Sequence, residues 1–169
     1  MTAAQTTTRY VSLSTEQPVW ERFPMVAPLV LVGTIEPDGE ADIAPKHLAM
    51  PVSWGNRYGF VCHPSHGTYR NVVATEAFTV GYPTPAMLLH TSLAAAPRAS
   101  DGTKPTVQAL PLAAAKKVDG VLVQGCRVHL ECTLDRVIDD LDGNVLVIGT
   151  VVAAHVAESV LRTFDVDDA

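Results

Sequence analysis

What this chain lacks narrows its function before any motif is read. It has no C-x-x-C pair, and its three cysteines, Cys62, Cys126 and Cys132, are scattered and odd in number. That excludes a disulfide framework and suits a reducing compartment, so each thiol is expected as a small buried apolar side chain. No G-x-G-x-x-G occurs, which removes the fingerprint of a doubly wound dinucleotide fold. No apolar run is long enough to cross a bilayer. The longest, Met25 to Ile35 and Val145 to Val156, are short and broken by Pro, Gly and Thr. The polar, threonine-rich start from Met1 to Arg9 lacks the basic region and apolar core of a secretion signal, so the expected location is cytoplasmic. Basic residues are outnumbered, 12 Lys and Arg against 18 Asp and Glu. Nucleic acid and anionic membrane are therefore not expected partners, because a phosphate backbone needs a basic face.

What is present is enough for one packed domain: 169 residues, 47% hydrophobic and 18% charged. Residues 1–24 read as an N-terminal arm, 25–160 as the domain and 161–169 as an acidic tail. Ala27 to Glu36 is rich in Val and Leu and ends in Pro37-Asp38-Gly39, a strand entering a turn. Ala41 to Ala44 suits the returning strand, and Tyr58 to His63 another. Thr68 to Glu76 reads as a short helix capped by Thr68, with Val72, Val73 and Phe78 facing inward. Ala77 to Tyr82 is strand-like, Thr84 to Ala96 helical, and Pro97 to Pro105 a loop. Gly120 to Ile138 and Asn144 to Ala157 are long β-branched segments joined by an Asp-Gly-Asn turn. Strands joined by turns rather than by crossover helices predict a mostly β fold, an antiparallel sheet or barrel of about six strands.

One absence is local. Between Ile43 and Thr75 there is no Asp or Glu, yet the stretch holds Lys46, Arg57, Arg70 and half of the six histidines, His47, His63 and His66. A cationic stretch in an anionic chain points to an anionic ligand, most simply a phosphate. Ser65-His66-Gly67-Thr68 precedes the expected helix, whose first N–H groups would be free to meet that anion. A metal is less well served: Cys62 and His63 are neighbours on a strand and point to opposite faces. A Cys62–His nucleophile pair lacks a third, orienting group.

The same letters carry a resemblance. Ala27 to Trp54 (APLVLVGTIEPDGEADIAPKHLAMPVSW) and His66 to Val80 (HGTYRNVVATEAFTV) are similar to two stretches of the flavin reductase-like, FMN-binding split-barrel family: a strand, a D-G turn and an A-P-x-S segment leading to P-V-S, then a T-x-x-N helix start. The resemblance implies a six-stranded antiparallel split barrel with a few short helices. It implies a homodimer with FMN, or FAD, in a groove at the interface. By position, the flavin would be lined by Pro45, Lys46, His47, Leu48 and Met50, by Val61, His63 and Ser65, and by Thr68, Arg70 and Asn71. Lys46, His47, Ser65, Thr68 and Arg70 would serve the phosphate and ribityl chain. Bland roles compete at several positions: a helix cap at Thr68, a turn cap at Asn71, a core side chain at Met50, an ordinary strand residue at His63.

Two departures stand out. His47 fills the place of the Ser in A-P-x-S. Asn144 stands where many members have the His of G-D-H, near flavin and nicotinamide. His63 and Asn144 are the candidates for a catalytic role. The resemblance implies an NAD(P)H-dependent flavin reductase, with a monooxygenase as possible partner. Asn144 keeps open an FMN-holding, flavoredoxin-like electron carrier without a nicotinamide site, because an amide cannot titrate near neutrality. A split barrel that binds another phosphorylated ligand or serves as an interaction module is the third reading.

Overall fold

The computed structural model describes residues 8–162. β1 (Val30–Ile35) turns at Pro37-Asp38-Gly39 and returns as β2 (Ala41–Lys46), with Val30 opposite Lys46. Only His47 and Leu48 separate β2 from β3 (Ala49–Pro51), which pairs with β4 (Arg57–Cys62). Helix α1 (Gly67–Thr75) leads into β5 (Ala77–Tyr82). Two short helices follow, α2 (Leu88–Ala94) and α3 (Pro105–Gln108), then a ribbon of β6 (Leu112–Ala114) and β7 (Val121–Val123). A long hairpin, β8 (Val128–Leu141) and β9 (Asn144–Val156), completes the fold. Its turn is Asp142-Gly143, both at positive φ (51° and 81°), the geometry a two-residue hairpin requires.

The main sheet runs β2-β1-β5-β8-β9-β4-β3, antiparallel throughout. Its two edges, β2 and β3, are consecutive in the chain. Three Cα steps from Lys46 to Ala49 reach at most about 11 Å, so the sheet must curl until its edges nearly meet. Register shifts between β8 and β9, at Glu131/Cys132, Leu134/Arg136 and Ile138/Leu141, help it bend. Proline marks both edges, Pro45 in β2 and Pro51 in β3, where a missing N–H costs no ladder bond. The split between them stays open.

Inside the curl Val30, Val32, Tyr58, Phe60, Val72, Phe78, Val80 and Val147 form the main core. Phe60 and Phe78 meet edge to face at 5.2 Å. Alternation sends Leu31 and Ile43 to the other face, where Met87, Ala94, Val107 and Val123 cover them. This second layer places α2, α3 and the loop between them beside β2. No helix among the described residues is long and apolar enough to cross a membrane.

The mostly β, antiparallel expectation holds, but seven strands rather than six form the sheet and a two-stranded ribbon is added. β3, β6 and β7 have three residues each, too few to show a period in the sequence. The segment from Gly120 to Ile138 is two strands, because Gln124-Gly125 interrupts it. Thr68 is not the cap of α1. The cap position is His66, and Thr68 lies buried at the second position of the helix. Val72 and Phe78 are buried as expected, whereas Val73 is 46% exposed, one helical step away from the inward face.

Glu131 is fully buried on β8 and ties the ribbon down. Its carboxylate accepts the backbone N–H groups of Lys116, Lys117 and Val118 and a bond from His155 Nε2 at 2.8 Å. Burial opposes its charge, but His155 and the three N–H groups outweigh that and hold the carboxyl below its ordinary 4.5. A carboxyl lowered in the folded state contributes stability above the ordinary value and loses it as pH falls through the folded one. Glu131→Ala is expected to cost about 3 kcal/mol in urea unfolding at neutral pH, since it strands several buried donors. The loss of stability on acidifying below about pH 4.5 should be shallower in the variant. An unchanged midpoint would show that the clasp is incidental.

Candidate functional site

The curl brings four chain segments to one rim of the barrel: the end of β2, the His47-Leu48 step across the split, the end of β4, and the start of α1. Asn144 joins them through register, because Cys62 pairs with Val145 and the next position along β9 is Asn144. Two clefts open on this rim and share Pro45, Lys46 and His66.

The first, about 430 Å³, lies at the N-terminus of α1, between Ser65 to Thr68, the end of β2 and the loop after α2. No side chain caps the helix, so its first N–H groups remain available at the cleft. Gly67 lets Arg98 come close: a Cβ there would stand 2.7 Å from Arg98 Nη2 and push the guanidinium aside. Four cations and one carboxylate line the space, Lys46, Arg70, Arg98, Lys104 and Asp42. Arg98 is committed to Glu36 and Asp42, and Lys104 to Asp42 at 3.3 Å. Among the described residues, Lys46 and Arg70 have no carboxylate partner. Arg70 instead donates to the Ser65 carbonyl, and Lys46 Nζ lies 3.4 Å from Cys62 Sγ. The cleft therefore keeps two uncompensated positive charges beside a free helix N-terminus, which suits a phosphate monoester.

The second cleft, about 260 Å³, is walled by Pro45 to Leu48 on one side and Val61 to His63 with Asn144 on the other. Pro45, Leu48, Val61 and Cys62 give it apolar surface, and Lys46, His47, His63, His66 and Asn144 give it polar groups. His63 is exposed and its Nδ1 meets Ser65 Oγ at 2.7 Å, bracing the loop into α1. A third, apolar hollow of about 250 Å³ lies across Leu48 and Val61, lined by Met25, Val26, Met50 and Leu146.

A model of the flavin reductase-like domain matches residues 21–165. The chain belongs to the flavin reductase-like family. Solved structures agree on the fold. Component B of nitrilotriacetate monooxygenase from Bacillus cereus superposes with a TM-score of 0.79 at 18% identity, over 93% of this chain and 86% of that one. Flavoredoxin of Desulfovibrio vulgaris (Miyazaki F) gives 0.74 at 22% identity, over 92% and 80%. A 2-nitrobenzoate 2-nitroreductase from Pseudomonas fluorescens gives 0.75 at 18%, over 90% and 79%. The curled sheet is thus the family's split barrel.

In this flavin reductase-like barrel the residues singled out in the sequence scatter over distinct places. Lys46, Ser65, Thr68 and Arg70 line the first cleft. His47, Leu48, Val61, His63 and Asn144 line the second, and Pro45 borders both. Met50 is 62% exposed and faces the apolar hollow. Asn71 is buried and donates to Thr34 Oγ1 at 3.0 Å, tying α1 to β1; it lines neither cleft. Arg57 sits at the far end of β4, paired with Asp135. His66, Arg98 and Lys104 border the first cleft and were not singled out as ligands. His66 had a signal, its place in the cationic stretch. Arg98 and Lys104 had none, because they arrive from a loop remote in sequence. Among the described residues no three His, Cys, Asp or Glu side chains gather as a metal site.

His66 stands at the junction of both clefts. Partial burial, then Lys46, His63 and Arg70 around it, push its pKa below the ordinary 6.5. An anion in the first cleft offsets those positive charges and must raise it again. Protonation and anion binding therefore favour one another, and affinity should fall as pH rises through the His66 value of the complex. In an NMR titration the His66 imidazole should titrate below 6.5 without ligand and shift upward when inorganic phosphate is added. A titration curve indifferent to phosphate would detach His66 from the site.

Proposed function

We propose that this chain binds FMN, with the phosphate at the N-terminus of α1 and the ring in the second cleft. The observation that carries the reading is the pair of confluent clefts, one cationic at an open helix start, the other combining apolar walls with imidazole and amide groups. Lys46, Arg70, the Ser65 and Thr68 hydroxyls and the first N–H groups of α1 would hold the phosphate, with His47 and His66 toward the ribityl chain. Backbone groups of Val61 to His63 and the Pro45 to Leu48 wall would face the ring edge. The bound flavin would supply two-electron redox chemistry that no side chain here can perform. The protein positions the ring, keeps water from one face and presents polar groups at its rim.

The activity that fits family membership is NAD(P)H-dependent flavin reduction, hydride passing from a nicotinamide to the flavin. One solved relative is a monooxygenase component by name, which makes a partner monooxygenase the natural consumer of reduced flavin. A specific residue favours a second reading. Asn144 lies in the ring cleft and can donate or accept a hydrogen bond but cannot carry charge near neutrality. An electron carrier without a nicotinamide site would ask no more of it, and one solved relative is named a flavoredoxin.

The ring cleft shares His47, Leu48 and Val61 with the apolar hollow, where Met25, Val26, Leu48 and Met50 are all exposed. A patch of that kind on one side of a site suits a second copy of the chain, which would close the groove as a homodimer. Sedimentation should then report a dimer, and Met50→Lys should shift it toward monomer and weaken flavin retention together.

The deciding measurements are spectroscopic. Protein mixed with FMN should retain a flavin absorbance band through gel filtration. Lys46→Met and Arg70→Ala should each weaken FMN about tenfold, with riboflavin affected far less. A colourless protein that takes up no FMN would end the flavin readings. Stopped-flow reduction of bound flavin by NADH or NADPH separates the two: fast hydride transfer supports the reductase, and its absence with reduction by a protein donor supports the carrier.

A further inference from the structure

Beyond the first cleft lies another hollow, about 420 Å³, between the β1–β2 turn and the loop after α2. The two spaces share Arg98 and Lys104. These side chains form the partition between them. The Arg98 guanidinium is bonded on three sides, to Glu36, to Asp42 at 3.2 Å and to the Gly102 carbonyl at 2.9 Å. Lys104 Nζ donates to the Ile43 carbonyl at 2.6 Å and meets Asp42 at 3.3 Å. Asp42 itself is buried. The partition is therefore anchored to the barrel wall, not draped over it, and it abuts the helix start at Gly67.

The far side has the opposite chemistry. Glu36, Asp38, Glu40 and Asp101 line it, and its two cations are the partition residues already paired with carboxylates. A ligand ending in one phosphate fits within the first cleft, against Lys46 and Arg70. A ligand that continued past that phosphate toward the second hollow, into a second phosphate and a nucleoside, would meet Arg98 and place negative charge among carboxylates.

We propose that the Arg98–Lys104 partition and the carboxylates behind it make this site selective for a flavin mononucleotide over a flavin dinucleotide. The proposal rests on the flavin reading above and adds to it a size and charge limit set by residues outside the cationic stretch. Arg98 is a specificity residue here, whatever it adds to phosphate affinity.

The test is flavin fluorescence quenching on the full chain with riboflavin, FMN and FAD. The wild type should bind FMN at least about tenfold more tightly than FAD. Arg98→Ala combined with Glu36→Gln, which removes the wall without leaving its carboxylate bare while Lys104 still pairs Asp42, should narrow that ratio about tenfold, chiefly through tighter FAD binding. A residue that only supports the fold would lower both affinities together and leave the ratio unchanged. The double variant Asp38→Asn, Glu40→Gln lies away from the flavin cleft and guards against misfolding of the first. It should leave FMN affinity unchanged and strengthen FAD severalfold, with the gain shrinking at high salt. Equal FMN and FAD affinities in the wild type, or a ratio unmoved by both variants, would overturn the partition while leaving the flavin site standing. Quenching of none of the three flavins would overturn the flavin reading itself.

Discussion

The fold depends on one short connection. β2 and β3 are the opposite edges of a seven-stranded sheet, yet only His47 and Leu48 lie between them. Chain length alone obliges the sheet to curl around its core until the edges face each other across a narrow split. Because that connection also passes the ends of β2 and β4, it collects the start of α1 and Asn144 onto the same rim. The candidate site is a consequence of closing the sheet, not an addition to it. The prolines at the two edges keep the closure incomplete, and the incomplete closure leaves room for a flat ligand.

Electrostatics then divide the rim into unlike halves. The chain is acidic overall, and two of the four cations lining the first cleft are neutralised where they stand, Arg98 and Lys104 by Glu36 and Asp42; Arg57, away from the cleft at the far end of its strand, is paired with Asp135. Lys46 and Arg70 remain, and they flank the start of α1, which no side chain caps. A small number of uncompensated charges, placed beside free N–H groups, attracts an anion more selectively than a broad basic surface would. The same geometry explains His66, whose imidazole pKa is lowered by partial burial and then by its cationic neighbours. Glu131 shows the opposite case, a buried charge whose bonds are all satisfied within the fold and which serves architecture.

Much of this was legible in the residues. The strand–turn–strand at Pro37-Asp38-Gly39, the helix after Gly67, the long hairpin at Asp142-Gly143 and the antiparallel class all follow from local period and turn chemistry. Lys46, Ser65 and Arg70 stood out because a run without acids is visible in one dimension. Three-residue strands were not legible, since a period of two needs more than three positions to declare itself. Thr68 and Asn71 illustrate a subtler limit: their types suit a cap, but which side of a helix meets the barrel is decided by packing, and both side chains turned inward.

By itself, then, the sequence determined the class of fold, the family and the segment where positive charge accumulates, because each of these is written in neighbouring letters. Only the tertiary structure decided which charges remain free. An ion pair such as Arg98 with Glu36 joins residues distant in the chain, and composition counts the cation without its partner. It likewise took the curled sheet to set Asn144 beside His63 and to put Arg98 against Gly67, since contacts across a barrel depend on register and closure rather than on any local pattern.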